Sequence, residues 1–193
     1  MDAIILASSS PRRRELLIQA GIPFTVMPSE VDEEHIEYSG TPEGMAEYLA
    51  CIKAQDVAEK VDKGLVLGAD TIVVCEGDIF GKPSDSNDAK KMLERLSGRE
   101  HCVITGLALI DAANGMLKKG YEMTMVRFSA LTAEKVEAYI NTGEPFGKAG
   151  AYAIQGYGAL LVEGIKGCYS NVVGLPLYRL GYLLEELGIK MMQ

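Results

Sequence analysis

"ILASSSPRRREL" (residues 5–16) runs from three apolar residues into three serines, a proline and three consecutive arginines. The apolar run predicts a strand over residues 3–8. Pro11 in a first turn predicts a helix over 11–20, with Ser10 as N-cap and Gly21 as its stop. The arginines conflict with that helix. Its N-terminus carries partial positive charge, so a cation in the first turn costs about 0.3–1 kcal/mol, and a bound anion reverses the sign. Rotation of about 100° per residue puts Arg13 almost on the meridian of Leu16, Leu17 and Ala20. Arg12 falls on a flank and Arg14 most nearly faces solvent. Arg13 is therefore expected over the strand end, where open α/β sheets bind ligands, with the Ser8, Ser9 and Ser10 hydroxyls nearby. A solvated basic patch is the plainer alternative.

Outward from this stretch the pattern alternates. "IPFTVMPS" (22–29) predicts a second strand, and Thr41 caps a helix that begins at Pro42 and runs through "AEKV" (58–61). "LVLGADTIVVCEGDIF" (65–80) holds two apolar runs broken at Ala69-Asp70-Thr71, then a turn at Glu76-Gly77-Asp78. An amphipathic helix over "DSNDAKKMLERLSG" (85–98) turns Met92, Leu93 and Leu96 inward. Residues 101–131 predict a long hairpin turning at Asn114-Gly115. "TAEKVEAYINTG" (132–143) is helical, a glycine-rich region spans Gly150 to Gly174, and "LPLYRLGYLLEELG" (175–188) closes as an amphipathic helix. The hairpin argues against an all-parallel arrangement, so the fold class is α/β with a mixed twisted sheet and flanking helices.

The composition narrows the function. The chain has 193 residues, 48% hydrophobic and 24% charged, which suits one domain over 1–193, with two lobes around a cleft as an allowed form. No apolar run approaches a membrane span, and the N-terminus lacks the pattern of a signal peptide, so a cytoplasmic protein without membrane partners is expected. Cys51, Cys75, Cys102 and Cys168 form no C-x-x-C pair, and His35 and His101 are too few for a histidine-rich site. Any metal is then a hard cation held by carboxylates. A net charge of −8 argues against a nucleic-acid partner and makes the local arginine cluster more informative. It is not a Walker A loop, since Gly81-Lys82 precedes Pro83 and Gly147-Lys148 precedes Ala149.

Three further positions stand out. Lys53 lies on the apolar stripe of Leu49, Ala50 and Val57, so its ammonium either reaches an interior site or snorkels to solvent. Asp70 sets a carboxylate between two apolar segments and needs a cation, a metal or a proton, unless it caps a tight turn. Lys82 follows the next short run and could return to the same sheet edge. Asp32 and Glu33 offer carboxylates from a run that otherwise passes as a solvated loop. Together these are parts for hydrolysing a phosphoanhydride: cations to hold phosphates, and carboxylates to hold Mg²⁺ and activate water.

The chain resembles the Maf family of Maf/Ham1-like nucleotide pyrophosphatases over essentially its full length. The resemblance is carried by "LASSSPRRREL" (6–16), "EVDE" (30–33), Lys53, "GADTIVV" (68–74), "GKP" (81–83) and "AGAYAIQGYGALLVEGIKGCYSNVVGLPL" (149–177). It implies a mixed α/β fold with a deep cleft between lobes. It also implies a house-cleaning hydrolase that converts nucleoside triphosphates to monophosphate and pyrophosphate with a divalent cation, Mg²⁺ or Mn²⁺. By position it implies Asp70 as general base, Ser8, Arg13, Lys53 and Lys82 as phosphate ligands, and Glu33 with Asp70 as metal ligands. Arg12, Thr71 and Gln155 match positions linked to base selection, and "ADT" with "IQG" resembles the dTTP/UTP-type branch. Cys168 stands where small residues are usual. The implied partner is a small-molecule nucleotide, and a homodimer is allowed. Two alternatives stay open: pyrophosphatase action on other modified bases, and a nucleotide-binding regulator of septum formation without significant turnover.

Overall fold

The computed structural model describes residues 3–33 and 36–190; His35 lies outside them. Seven strands form a single mixed sheet in the order β2-β1-β3-β5-β6-β7, with β4 paired to β3. In chain order these are β1 (Ile4–Leu6), β2 (Phe24–Val26), β3 (Leu65–Cys75), β4 (Asp78–Phe80), β5 (Glu100–Asp111), β6 (Leu117–Phe128) and β7 (Val162–Lys166). β1 runs parallel to β2 and β3, whereas β4 is antiparallel to β3 and β7 to β6. The helices are α1 (Pro11–Gln19), α2 (Pro42–Ala58), α3 (Ser86–Leu96), α4 (Ala133–Asn141), α5 (Tyr169–Val173) and α6 (Leu177–Glu186). The mixed α/β class expected from the sequence is the class found.

Contacts divide the chain into two compact units. The first comprises residues 1–70, 105–122 and 174–193, the second 71–104 and 123–173. β3, β5 and β6 each cross from one unit to the other within the strand.

In the first unit, α2 packs on the sheet through small residues. Its Ala50 and Ala54 are fully buried with Ala7, Val57, Val66 and Ala108. Two sheet glycines permit the approach. A Cβ on Gly68 of β3 would lie 2.1 Å from the Ala50 carbonyl oxygen, and one on Gly106 of β5 would lie 2.1 Å from that of Ala46. Thr41 caps α2 as expected, its hydroxyl accepting from the Gly44 N–H at 3.2 Å. Side chains alternate along a strand, so Gly68 and Asp70 share the face that α2 covers.

In the second unit, Val73, Leu93, Leu96, Val126, Phe128 and Tyr152 belong to a separate core. His101 of β5 is buried there, 1% exposed, with its ring edge-on to those of Phe128 and Tyr152 at 5.1 and 5.3 Å. Its Nε2 shares a 2.7 Å hydrogen bond with the Tyr152 hydroxyl. Burial holds the imidazole well below its ordinary value, at about 4, and pushes the Tyr152 phenol up. Because the folded value is depressed, the folded chain keeps His101 neutral where an unfolded chain already protonates it. Stability is therefore full above pH 6.5 and declines as the pH falls towards 4, by about 3 kcal/mol. A His101→Gln variant is expected to show a smaller drop in urea midpoint between pH 7 and pH 5 than the parent. Identical drops would remove His101 as the cause.

Several local expectations are corrected. β3 runs unbroken through Asp70, which neither interrupts the apolar segment nor caps a turn. Ser10 occupies the N-cap of α1, but its side chain makes no capping bond. The Ser8 hydroxyl instead accepts from the Ser10 N–H at 3.3 Å. Ala20 is exposed rather than part of the buried meridian, which rests on Leu16 and Leu17. The glycine-rich region contains two short 3-10 turns (Ala149–Ala151 and Gly156–Leu160), then β7 and α5.

Candidate active site

Lys53 and Asp70 form the centre of the site, and local packing explains their meeting. Gly68 brings α2 against β3 at Ala50; Lys53 follows Ala50 by about one helical turn, and Asp70 follows Gly68 on the same face of the strand. The Lys53 ammonium lies 2.5 Å from Asp70 Oδ1, and the two residues are 7% and 6% exposed. The same ammonium lies 2.9 Å from Glu33 Oε1. Lys53 therefore reaches inward rather than snorkelling, and Glu33 belongs to an ion-pair cluster rather than a solvated loop. A buried carboxylate is tolerated when it is paired and hydrogen-bonded, which this ammonium accomplishes for Asp70, while Glu33 stays partly solvated.

Arg13 joins the same cluster from the first turn of α1. Its Nε donates to the Gly174 carbonyl at 2.8 Å, and one terminal nitrogen donates to the Ser8 hydroxyl at 3.0 Å. Ser8 is 8% exposed, held in the tight connection between β1 and α1. Burial lowers the Arg13 guanidinium from its ordinary value; the charges of Asp70 and Glu33 oppose that shift, and Arg12 adds to it. Arg12, Glu33 and Asp70 thus each act electrostatically on Arg13. Arg14 differs from expectation: it is half-buried and turns back to donate to the Ser9 carbonyl at 3.1 Å. The Gly174 carbonyl was not foreseen; only its position at the end of the glycine-rich block hinted at it.

All these residues belong to the first unit, as do the loops and helices that carry them. Lys82, Thr71 and Gln155 belong to the second. Thr71 is half-buried and follows Asp70 on β3. Lys82 is exposed beside buried Pro83, and the preceding Gly81 carbonyl accepts from the Gly150 N–H at 3.0 Å. Gln155, half-buried, is the residue from which the second 3-10 turn starts.

The donor chemistry fits a hard divalent cation. Glu33 and Asp70 direct oxygens at one common cationic centre, the Lys53 ammonium. Magnesium sites use one or two carboxylates and complete their shell with substrate phosphates and water. The arginines and Lys53 supply the complementary half, fixed positive charge for polyanionic oxygens.

Comparison with known proteins assigns the family. The Maf-like protein model matches residues 3–187. The dTTP/UTP pyrophosphatase of Ruminiclostridium cellulolyticum is 57% identical over 100% of both chains. That of Moorella thermoacetica is 51% identical over 98% of this chain and 97% of its own. Among solved structures, the Ham1 protein of Staphylococcus aureus aligns with 66% of this chain and 72% of its own at a TM-score of 0.46 and 14% identity, too partial a likeness to bear on the site. The chain belongs to the Maf family. No helix among the described residues is long and apolar enough to cross a membrane.

Proposed function

We propose that this chain is a nucleoside triphosphate pyrophosphatase acting on dTTP, UTP and related or modified pyrimidine nucleotides. The observation that carries the reading is the convergence of Glu33, Lys53 and Asp70 on one buried centre with Arg13 in electrostatic reach. Two catalytic-type carboxylates and fixed cations are what hydrolysis of a phosphoanhydride requires. Full-length relatives named dTTP/UTP pyrophosphatase support the reaction and the substrate class.

In this mechanism the triphosphate is held by Ser8, Arg13, Lys53 and Lys82, whose donors neutralise its oxygens. Asp70 accepts a proton from the attacking water as the new bond forms to the α-phosphorus. The bond from that phosphorus to the bridging oxygen breaks, and pyrophosphate leaves with the electron pair. Lys53 bonds Oδ1 of Asp70 and so fixes the carboxylate's orientation, leaving Oδ2 as the proton acceptor. A bound Mg²⁺ or Mn²⁺, held by Glu33 and Asp70, would supply charge neutralisation of the phosphates. Arg12, Thr71 and Gln155 select the base. The Gln155 amide offers a donor and an acceptor that match the amide-like edge of uracil or thymine. A base lacking that pattern leaves polar groups unpaired and is rejected.

Pyrophosphate release from a panel of triphosphates, with Mg²⁺ or Mn²⁺, tests the assignment. Release is expected to be fastest from dTTP and UTP. Tight binding without release from any nucleotide would replace the enzyme by a nucleotide-binding regulator.

A further inference from the structure

The segment that carries Gln155 has glycines at positions 150, 156 and 158 and contributes no strand at that point, so something else must fix its shape. Glu144, half-buried in the loop after α4, is placed to do this. Its Oε1 accepts from the Tyr139 hydroxyl and from the Gly158 N–H, each at 2.9 Å, and its Oε2 accepts from the Tyr157 N–H at 2.9 Å. The Tyr139 hydroxyl in turn accepts from the Ala153 N–H at 3.2 Å. One carboxylate and one phenol thus bind backbone amides on both sides of Gln155, two residues before it and two and three after.

The intervening glycine shows how tight this grip is. Gly156 has φ of +65°, and a Cβ there would lie 2.4 Å from Glu144 Oε2. The Lys148 ammonium also donates to the Glu144 carbonyl, which anchors the loop bearing the carboxylate. Burial raises the Glu144 carboxyl, but the hydrogen bonds from the Gly158 and Tyr157 amides and from Tyr139 together outweigh it and hold the group below its ordinary value. None of these contacts belongs to the phosphate-binding cluster.

We propose that Glu144, acting with Tyr139, is the positioning residue that holds the Gln155 segment in its base-selecting conformation. The proposal rests on the reading of Gln155 as a base-selecting residue. Specificity through paired hydrogen bonds depends on a donor and an acceptor held to a fraction of an ångström, and the groups that grip the neighbouring backbone supply that rigidity. Glu144→Gln keeps the side-chain volume but turns one acceptor into a donor, which then faces the donor of a loop amide or of Tyr139.

The test measures kcat and KM of the full chain on dTTP, UTP, dCTP and dGTP for Glu144→Gln, Glu144→Asp, Tyr139→Phe, Gln155→Ala and the Glu144→Gln/Gln155→Ala pair. For Glu144→Gln, KM for dTTP and UTP is expected to rise about tenfold, the effect of one unsatisfied polar contact. The change in kcat, and in KM for dCTP and dGTP, is expected to stay within about twofold, since those substrates do not use the contact. Tyr139→Phe shifts selectivity in the same direction and carries the test if Glu144→Gln does not fold. Glu144→Asp, which keeps both acceptors, restores part of the selectivity, and the double variant is no less selective than Gln155→Ala alone. Equal losses on all four nucleotides with a lowered melting temperature would make the clamp merely structural and overturn the proposal. If Gln155→Ala abolishes selectivity while the Glu144 and Tyr139 variants keep it, the Gln155 reading stands and the clamp falls. If Gln155→Ala itself keeps selectivity, the premise fails and the proposal with it.

Discussion

Replacing Asp70 by Asn is expected to slow pyrophosphate release about a thousandfold, the scale of a lost general base. The substitution preserves shape, and the Asn carbonyl still accepts from the Lys53 ammonium that Asp70 Oδ1 meets at 2.5 Å. Because Lys53 also keeps Glu33 at 2.9 Å as a counter-ion, the fold should survive, with a melting temperature near that of the parent. Removing a negative charge beside Arg13 and Lys53 should also leave nucleotide binding in the absence of divalent metal intact or tighter, because the cations then face the phosphates with less competition. The combination separates a chemical role from a structural one: rate collapses, binding and stability persist. A rate within tenfold of the parent would exclude Asp70 as the base.

Lys53→Met gives the largest expected change in stability. It retains the aliphatic stem against α2 and β3 but strands Asp70, 6% exposed, and deprives Glu33 of its 2.9 Å partner. Breaking a buried pair from one side costs about 3–5 kcal/mol, since the remaining charge stays buried and uncompensated. Glu33 is partly solvated, which favours the lower end, about 3 kcal/mol, or roughly 6–12 °C in melting temperature for a chain of this size. Combining it with Asp70→Asn removes the stranded charge and should recover part of that loss. A single variant as stable as the parent, or a double variant with purely additive losses, would show that the pair is not the linchpin of this face.

The legible parts of this protein were those whose cause is local. The start of α1 follows from Pro11, that of α2 from Thr41 and Pro42, and the turn between β5 and β6 from Asn114-Gly115. Arg13 and Lys53 could be found because each puts a charge on an otherwise apolar helical face. Asp70 was visible as a misplaced charge, yet its strand was misread as broken. The ammonium that lets β3 continue lies seventeen residues upstream on another element. Glu33 carries no periodic signal, and only its partner removes it from the class of solvated acids. Residues 150–174 resisted reading because their shape comes from glycines at positive φ, such as Gly150 and Gly156, and from a side-chain anchor at Glu144. His101 gave no warning either, since Phe128 and Tyr152 lie far from it in the chain.

The proposed reaction cuts the link between the α- and β-phosphates with a water that Asp70 is proposed to deprotonate. Turnover of dTTP in oxygen-18-labelled water, with Mg²⁺ or Mn²⁺ present, tests it directly by mass spectrometry of the products. The prediction is one labelled oxygen in the thymidine monophosphate and none in the pyrophosphate. Label in orthophosphate with accumulation of the diphosphate, or label in the pyrophosphate, would contradict it.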